Sequence, residues 1–428
     1  MRVDTIIVGA GHAGLAVSRL LTDAGNDHVV LDRGRVAERW RTERWDSFHL
    51  LTPNWMTRLP GWCYTGPDPD GYLSSAELIH HLERYAASFQ APVIPHTSVL
   101  EIAAVRGPAF ARFRVVTDSG TWQASHVVVA TGPHGRAYLP ARLSGVSGRL
   151  EVVTANSYSN PAALPPGGVL VVGASASGVQ IADELSRAGR EVSLAVGRHT
   201  RMPRRYRGMD SFWWLAATGR LARTIDKVRD VGAARRENSL QLVGNSDPCL
   251  RGRDLDLGVL QARGVRLAGR LTEVVGAVAS FRSNLDQTVA DADLRMHRFL
   301  DAVDQYVDDA GLSREVLPAM RPRPVMVSDP VSRLDLAAEN IGTVLVAAGY
   351  RPYHPWLRLP VLAPDGSIRQ RRGVTSVPGL YVVGQSFQHR RDSSFIDGAR
   401  HDARYVVNHL LGREASPSPA GANGRLVA

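Results

Sequence analysis

Two short runs hold the residue types that can grip a diphosphate. Gly9-Ala10-Gly11-His12-Ala13-Gly14 follows the apolar run TIIV, and Gly173-Ala174-Ser175-Ala176-Ser177-Gly178 follows VLVV. In such a turn the first glycine permits a tight bend and the second lets backbone approach a pyrophosphate. The third lets the following helix pack on the strand. The phosphates then sit on the free N–H groups at the helix start, where the dipole favours an anion. In the second run Ser175 takes the middle place; it is small, and its hydroxyl can itself donate to a phosphate.

The end of the next strand sets the preference of each turn. After the first turn that strand ends in Asp32-Arg33, and an acid there binds a ribose hydroxyl. After the second it ends in Gly197-Arg198-His199. An acid would repel a 2′-phosphate, whereas arginine pairs with it. The first site therefore suits FAD and the second NADPH. A flavin and a nicotinamide held by one chain imply hydride transfer to the flavin.

These turns need elements around them. DTIIVGAGHAGLAVSRLLTDAGNDHVVLDRG reads as strand, turn, helix from Ala13 to Ala24, and strand. GGVLVVGASASGVQIADELSRAGREVSLAVGR repeats that order. Residues 35–75 read as a long Trp- and Pro-rich loop. A helix is predicted over 74–89, with Ser74 or Ser75 as its N-cap and Glu77 in the first turn. Strands are expected near 92–106, 110–117 and 121–130, and a helix over 291–311. The fold class is α/β, with two Rossmann-like dinucleotide domains. The NADPH domain (161–335, with a helical insertion) interrupts the FAD domain (1–160 and 336–412), and a disordered tail covers 413–428.

The bulk numbers agree. A chain of 428 residues exceeds one core, and 44% hydrophobic with 21% charged residues is an ordinary globular composition. No apolar run is long enough to span a bilayer, and the first strand begins almost at Met1, so the expected location is the cytoplasm. Cys63 and Cys249 are the only cysteines and belong to no metal or dithiol motif, so no metal site is expected. The net charge of +10 comes from arginine, Lys227 being the single lysine. The basic run 198–207 follows a strand of the second unit, where a dinucleotide phosphate is a better partner than nucleic acid. Its Arg204, Arg205 and Arg207 are candidates for holding NADPH or an acidic substrate.

With these motifs the sequence resembles the single-component, class B flavin-dependent monooxygenases. GAGHAG is similar to that family's FAD turn. ERWR (38–41) resembles its G-G-T-W segment, placing Trp40 and Arg41 at the flavin. FHLLTPNW (48–55) resembles the stretch beside the flavin ring. VVVATG, with Ala130, Thr131 and Gly132, and VLVAAGYRP (344–352) resemble the strands that join the two domains. GLYVVGQSF (379–387) resembles the C-terminal FAD motif, with Gly384 kept and Gln385 where an acid is usual. SFIDGARHDARYV resembles the closing helix, which would put Asp397 at the flavin pyrimidine.

The departures bear on chemistry. The family fingerprint F-x-G-x-x-x-H-x-x-x-Y keeps its tail in Tyr158 and Pro161. Its Phe, Gly and His positions fall on Gly148, Leu150 and Thr154. The position that often holds Asn or His beside flavin C4a falls on Leu51, leaving Thr52 and Asn54 as the candidate catalytic residues. The resemblance implies an NADPH-dependent FAD monooxygenase that acts on a small organic molecule with molecular oxygen, through a C4a-peroxyflavin, as a monomer or homodimer. Aromatic residues at 45–64 and 212–214 are expected either to line an aromatic or natural-product pocket or to form packing. Two other functions stay open: an FAD/NADPH oxidoreductase that reduces an organic acceptor, and a non-catalytic redox-sensing flavoprotein.

Overall fold

The computed structural model describes residues 1–105, 112–140, 143, 150–235, 237, 240–243 and 255–413; Gly148, Cys249 and the tail beyond Arg413 lie outside them. The strand Arg2–Val8 is the middle of a seven-stranded sheet. It pairs in parallel with His28–Leu31 on one side and Gly120–Val129 on the other. Val127, Val128 and Val129 are wholly buried, as a β-branched run between two covered faces must be.

The ten-residue strand Gly120–Val129 is shared along its length. Its first half pairs antiparallel with Phe113–Thr117, and its last three residues pair in parallel with Leu380–Val382. The first sheet is thus completed by chain from far downstream. The second sheet is wholly parallel, in the order Glu151–Thr154, Ile341–Val346, Gly168–Val172, Val192–Ala195, Arg266–Ala268. Two of its strands lie beyond both ends of the 161–335 segment expected for it. The backbone of Ile341–Val346 has partners on both edges there, so it joins this sheet and not the first.

Local chemistry explains the helices. His12–Asp23 buries the small residues Ala13, Gly14 and Ala16 together with Leu15, Val17 and Leu21, and stops before Gly25, whose φ of 65° is a left-handed C-terminal stop. Ser74 caps helix Ser75–Ser88 in a reciprocal box with Glu77. The long helix Leu285–Asp309 begins earlier than the sequence pattern suggests, because Leu285 and Val289 already face the core. Residues 35–75 contain a five-residue helix, Glu38–Thr42, and two-residue strands at Arg58–Leu59 and Trp62–Cys63. These are too short to carry a periodic signal. Among the described residues no helix is long and apolar enough to cross a membrane.

The closing helix Ile396–Leu410 packs on His12–Asp23 and carries Asp402, which is fully buried with only the Ser393 hydroxyl to satisfy it. His389 Nδ1 stands 3.8 Å away, and Asp392 beside it is already paired with Arg390 at 2.9 Å. Burial, reinforced by Asp392 and opposed by Ser393 and Arg390, pushes the Asp402 carboxyl up to about 7. An acid raised in the folded state binds more protons there than in the unfolded chain. Its contribution is therefore full at acidic pH and is lost as pH rises from the ordinary carboxylate range to about 7. The loss is on the order of 4 kcal/mol. Asp402→Asn should consequently lose less stability than the wild type between pH 5 and pH 8 in urea unfolding. Parallel pH dependence in the two proteins would refute a neutral Asp402.

Candidate functional site

The first glycine turn is shaped by its neighbours. A methyl group on Gly9 would lie 2.7 Å from the carbonyl oxygen of Ala130, and one on Gly14 would lie 1.9 Å from the carbonyl oxygen of Gly9. Gly9 also has a φ of 113°, which only glycine adopts without strain. Gly11 differs: its backbone is extended, and a methyl group there would meet nothing within 4 Å. The open space at the helix start leaves room for an anion beside the backbone.

The second turn repeats this geometry. A methyl group on Gly173, at φ 114°, would lie 2.5 Å from the carbonyl oxygen of Ala347, and one on Gly178 would lie 1.8 Å from that of Gly173. Ala130 and Ala347 end the strands of ATG and AAG, so each turn is roofed by the same kind of carbonyl. Gly384 closes the first site from the C-terminal side, its hypothetical methyl lying 2.8 Å from the Ala13 side chain.

Both turn helices start without a side-chain cap and without an acid in the first turn. Elsewhere Ser74, Asp210 and Asp256 cap their helices. Ser175 is the N-cap residue of Ala176–Arg187, yet its hydroxyl makes no cap hydrogen bond, and Ser177 lies half-buried beside it. Leaving these N–H groups uncapped preserves an anion site. Asp32 stands at the edge of the first turn, accepting from the Ala10 N–H at 2.7 Å and the Gly34 N–H at 2.9 Å. Each carboxylate oxygen keeps a lone pair for a ribose hydroxyl. His12, in the first turn of its helix, is half-buried with Nε2 enclosed and unpartnered, and desolvation lowers it to about 4, so it is neutral. The arrangement fits FAD at the first turn.

Other expected residues are engaged elsewhere. Arg33 reaches Glu43 at 2.8 Å, and Arg41 pairs with Glu83. Trp40 packs on the first core beneath the Arg44 guanidinium, 4.7 Å from its ring. Thr131 and Gly132 offer carbonyls to Arg39 at 3.4 Å and Gln385 at 3.2 Å. Asp397 is bound bidentately by Arg58, at 2.8 and 2.7 Å, and by Arg400 at 2.8 Å. The acid at the start of the closing helix is thereby neutralised.

Between the turns runs 38–58. Phe48 lies against both cores, and Ser47 donates to Glu184 at 2.8 Å while Tyr158 donates to the other Glu184 oxygen at 2.7 Å. Through Ser47, Glu184 thus latches the second turn helix to the segment beside the first, and Tyr158 holds its other oxygen. Thr154 spends its hydroxyl on Asn156 and Ser157, at 2.7 and 2.9 Å. Asn54 is buried, donates to the Asp68 carbonyl at 2.9 Å, and keeps Oδ1 without a partner; Thr52 is half-buried.

The aromatic residues do not form one pocket. Trp45 sits in the second core and Trp62 and Tyr64 pack on the first. Leu51, Trp55, Phe212, Trp213, Trp214 and Phe395 share a separate cluster. The basic run 198–207 is likewise broken up. Arg201 is buried between Asp256 and Asp293, Arg204 pairs with Asp210 at 2.9 Å, and Arg207 pairs with Asp304 at 2.7 Å. Tyr72 donates to Asp210 at 2.8 Å and accepts from Arg204 at 2.7 Å, which ties Arg204 into a buried trio while its Nη1 stays unpartnered. The exposed Arg198 remains at the strand end, and the helix Leu285–Asp309 brings Arg295 to it. Arg295 was not legible in the sequence, since nothing in its spacing ties it to the glycine turn.

Residues 6–213 match the family model described as pyridine nucleotide-disulphide oxidoreductase. An uncharacterized CzcO-like oxidoreductase of Geobacillus kaustophilus is 31% identical over 96% of this chain and 98% of its own. A probable indole-3-pyruvate monooxygenase of Arabidopsis thaliana is 30% identical over 48% of this chain and 50% of its own. Among solved structures, a flavin-containing monooxygenase from Stenotrophomonas maltophilia superposes with a TM-score of 0.65 at 19% identity, covering 96% of this chain and 98% of that one.

The two glycines of the first turn should separate in a binding assay. Gly11→Ala should leave apoprotein unfolding within about 1 kcal/mol of wild type yet loosen FAD. Gly14→Ala should cost about 3 kcal/mol, because its methyl must displace backbone. Equal stability loss in both, measured by urea titration beside flavin retention, would refute the phosphate position.

Proposed function

Because this chain belongs to the CzcO-like oxidoreductases, within the class B flavin-dependent monooxygenase superfamily, we propose that it is an NADPH-dependent FAD monooxygenase of a small organic molecule. The observation that carries this reading is the pair of uncapped, acid-free helix starts behind matching glycine turns. Gly9, Gly11, Gly14 and Asp32 would hold FAD, with Gly384 closing the site. Gly173, Ser175, Gly178 and Arg198 would hold NADPH. Bound FAD supplies the acceptor for hydride and the centre at which oxygen is activated.

The protein's own contribution is positioning and exclusion of water. Glu184, holding both Ser47 and Tyr158, fixes the segment 45–48 against the second domain. Leu51, Trp55 and Phe395 form an apolar wall next to Asn54, whose free Oδ1 is a buried acceptor. Such a wall suits an aromatic or natural-product-like substrate, and excluding water there protects an oxygenating centre. Thr154 and Leu51, which stand where the family often has polar groups, favour the second reading: reduction of an organic acceptor without oxygen insertion.

The two readings part when protein reduced by NADPH without oxygen is mixed with aerated buffer. A monooxygenase should show a lag before oxidised-flavin absorbance returns, with hydrogen peroxide released only in that late phase. Asn54→Ala should shorten the lag about fivefold, the worth of one hydrogen bond. Immediate reoxidation with one peroxide per NADPH, in the presence of every substrate offered, would leave only the acceptor reductase.

A further inference from the structure

We propose that Arg295, on the helix Leu285–Asp309, is a second arm of the 2′-phosphate site of NADPH, acting together with Arg198. The inference rests on the NADPH reading above and adds to it a residue almost a hundred positions away in the chain.

The helix lies against the strand Thr200–Pro203, which comes directly after Arg198 and His199. Arg295 donates from Nη2 to the His199 carbonyl at 2.8 Å, so its guanidinium is fixed to the backbone beside Arg198. Its Nε–H is buried and has no hydrogen-bond partner. A buried donor of that kind is costly unless an acceptor arrives. Burial lowers the basicity of Arg295, and the neighbouring Arg198 lowers it further, while Asp291 on the same helix acts in the opposite sense. His199 is buried, held by Nδ1 to the Gly197 carbonyl at 3.0 Å, and is lowered by burial, so it adds no cation.

The two buried acids are paired with Arg201, and the exposed Asp291 holds only a neutral amide. Asp293 accepts from Arg201 at 2.6 Å and from the Val325 N–H at 3.2 Å, and Asp256 accepts from Arg201 at 2.7 Å. Asp291 accepts from Gln287 at 2.8 Å. The Arg295 guanidinium is therefore held at the backbone next to Arg198, at the strand end beyond the second glycine turn. In dinucleotide folds that strand end faces the adenosine ribose. Planar, forked guanidiniums fit a phosphate monoester there.

Calorimetric titration of the flavin-loaded protein with adenosine 2′,5′-bisphosphate and with 5′-AMP tests this without turnover. Wild type should bind the bisphosphate at least about tenfold tighter than 5′-AMP. Arg295→Ala should weaken the bisphosphate about tenfold to a hundredfold and leave 5′-AMP within about twofold. Arg295→Lys, which keeps the charge without the fork, should fall between them. If Arg295→Ala matches wild type while Arg198→Ala loses the preference, the inference fails and the NADPH reading stands. Equal weakening of both nucleotides would mark Arg295 as structural and overturn the inference. A wild type without preference would overturn both.

Discussion

The structure depends on one close approach. The carbonyl oxygens of Ala130 and Ala347 press on Gly9 and Gly173 so closely that no side chain fits between. That contact sets the bend of each turn, and the bend aims each helix start at the space where phosphate would lie. The helices are placed in turn: Gly14 and Gly178 bring them down onto the turn's own backbone. Ala13 brings Gly384 against the first turn. A chain that relaxed this approach by an ångström would move the helix, the C-terminal motif and the mouth of the site together.

The same constraint explains what could be read beforehand. Glycine is the one residue tolerated where backbone presses on backbone, at positive φ for Gly9 and Gly173 and inside the helix for Gly14 and Gly178, so all four announce themselves by type. Buried parallel strands such as VVLD and HVVVA are legible for a similar reason: both faces are covered, so near-continuous apolar runs rich in valine pack there. Boundaries were less legible. The membership of Glu151–Thr154 and Ile341–Val346 in the second sheet is a matter of edge pairing, which composition does not encode.

Side-chain roles in the interior were the least legible. Arg204 reads as a phosphate ligand from its basic neighbours, but Asp210 and Tyr72 claim it, and Tyr72 lies 132 positions upstream. Asp397 reads as a lone acid at a helix start, yet Arg58 binds both of its oxygens from 339 positions away. Arg295 is the reverse case: an ordinary helix residue that tertiary structure carries to the strand end. Pairings of this kind are set by which surfaces meet, and no local period records them.

The strand Gly120–Val129, whose far end pairs with Leu380–Val382, has a consequence for how the protein comes into being. The second sheet is in the same position, since Ile341–Val346 lies between Glu151–Thr154 and Gly168–Val172. A nascent chain halfway through synthesis has both glycine turns but lacks an interior strand of one sheet and a closing strand of the other. Both half-sheets then expose unpaired edges rich in valine, the kind of surface that recruits other chains. Topology of this sort is slow to close, because its contacts span most of the sequence. On the ribosome, therefore, the interval between residue 172 and residue 382 is the one during which this fold depends on protection from its neighbours.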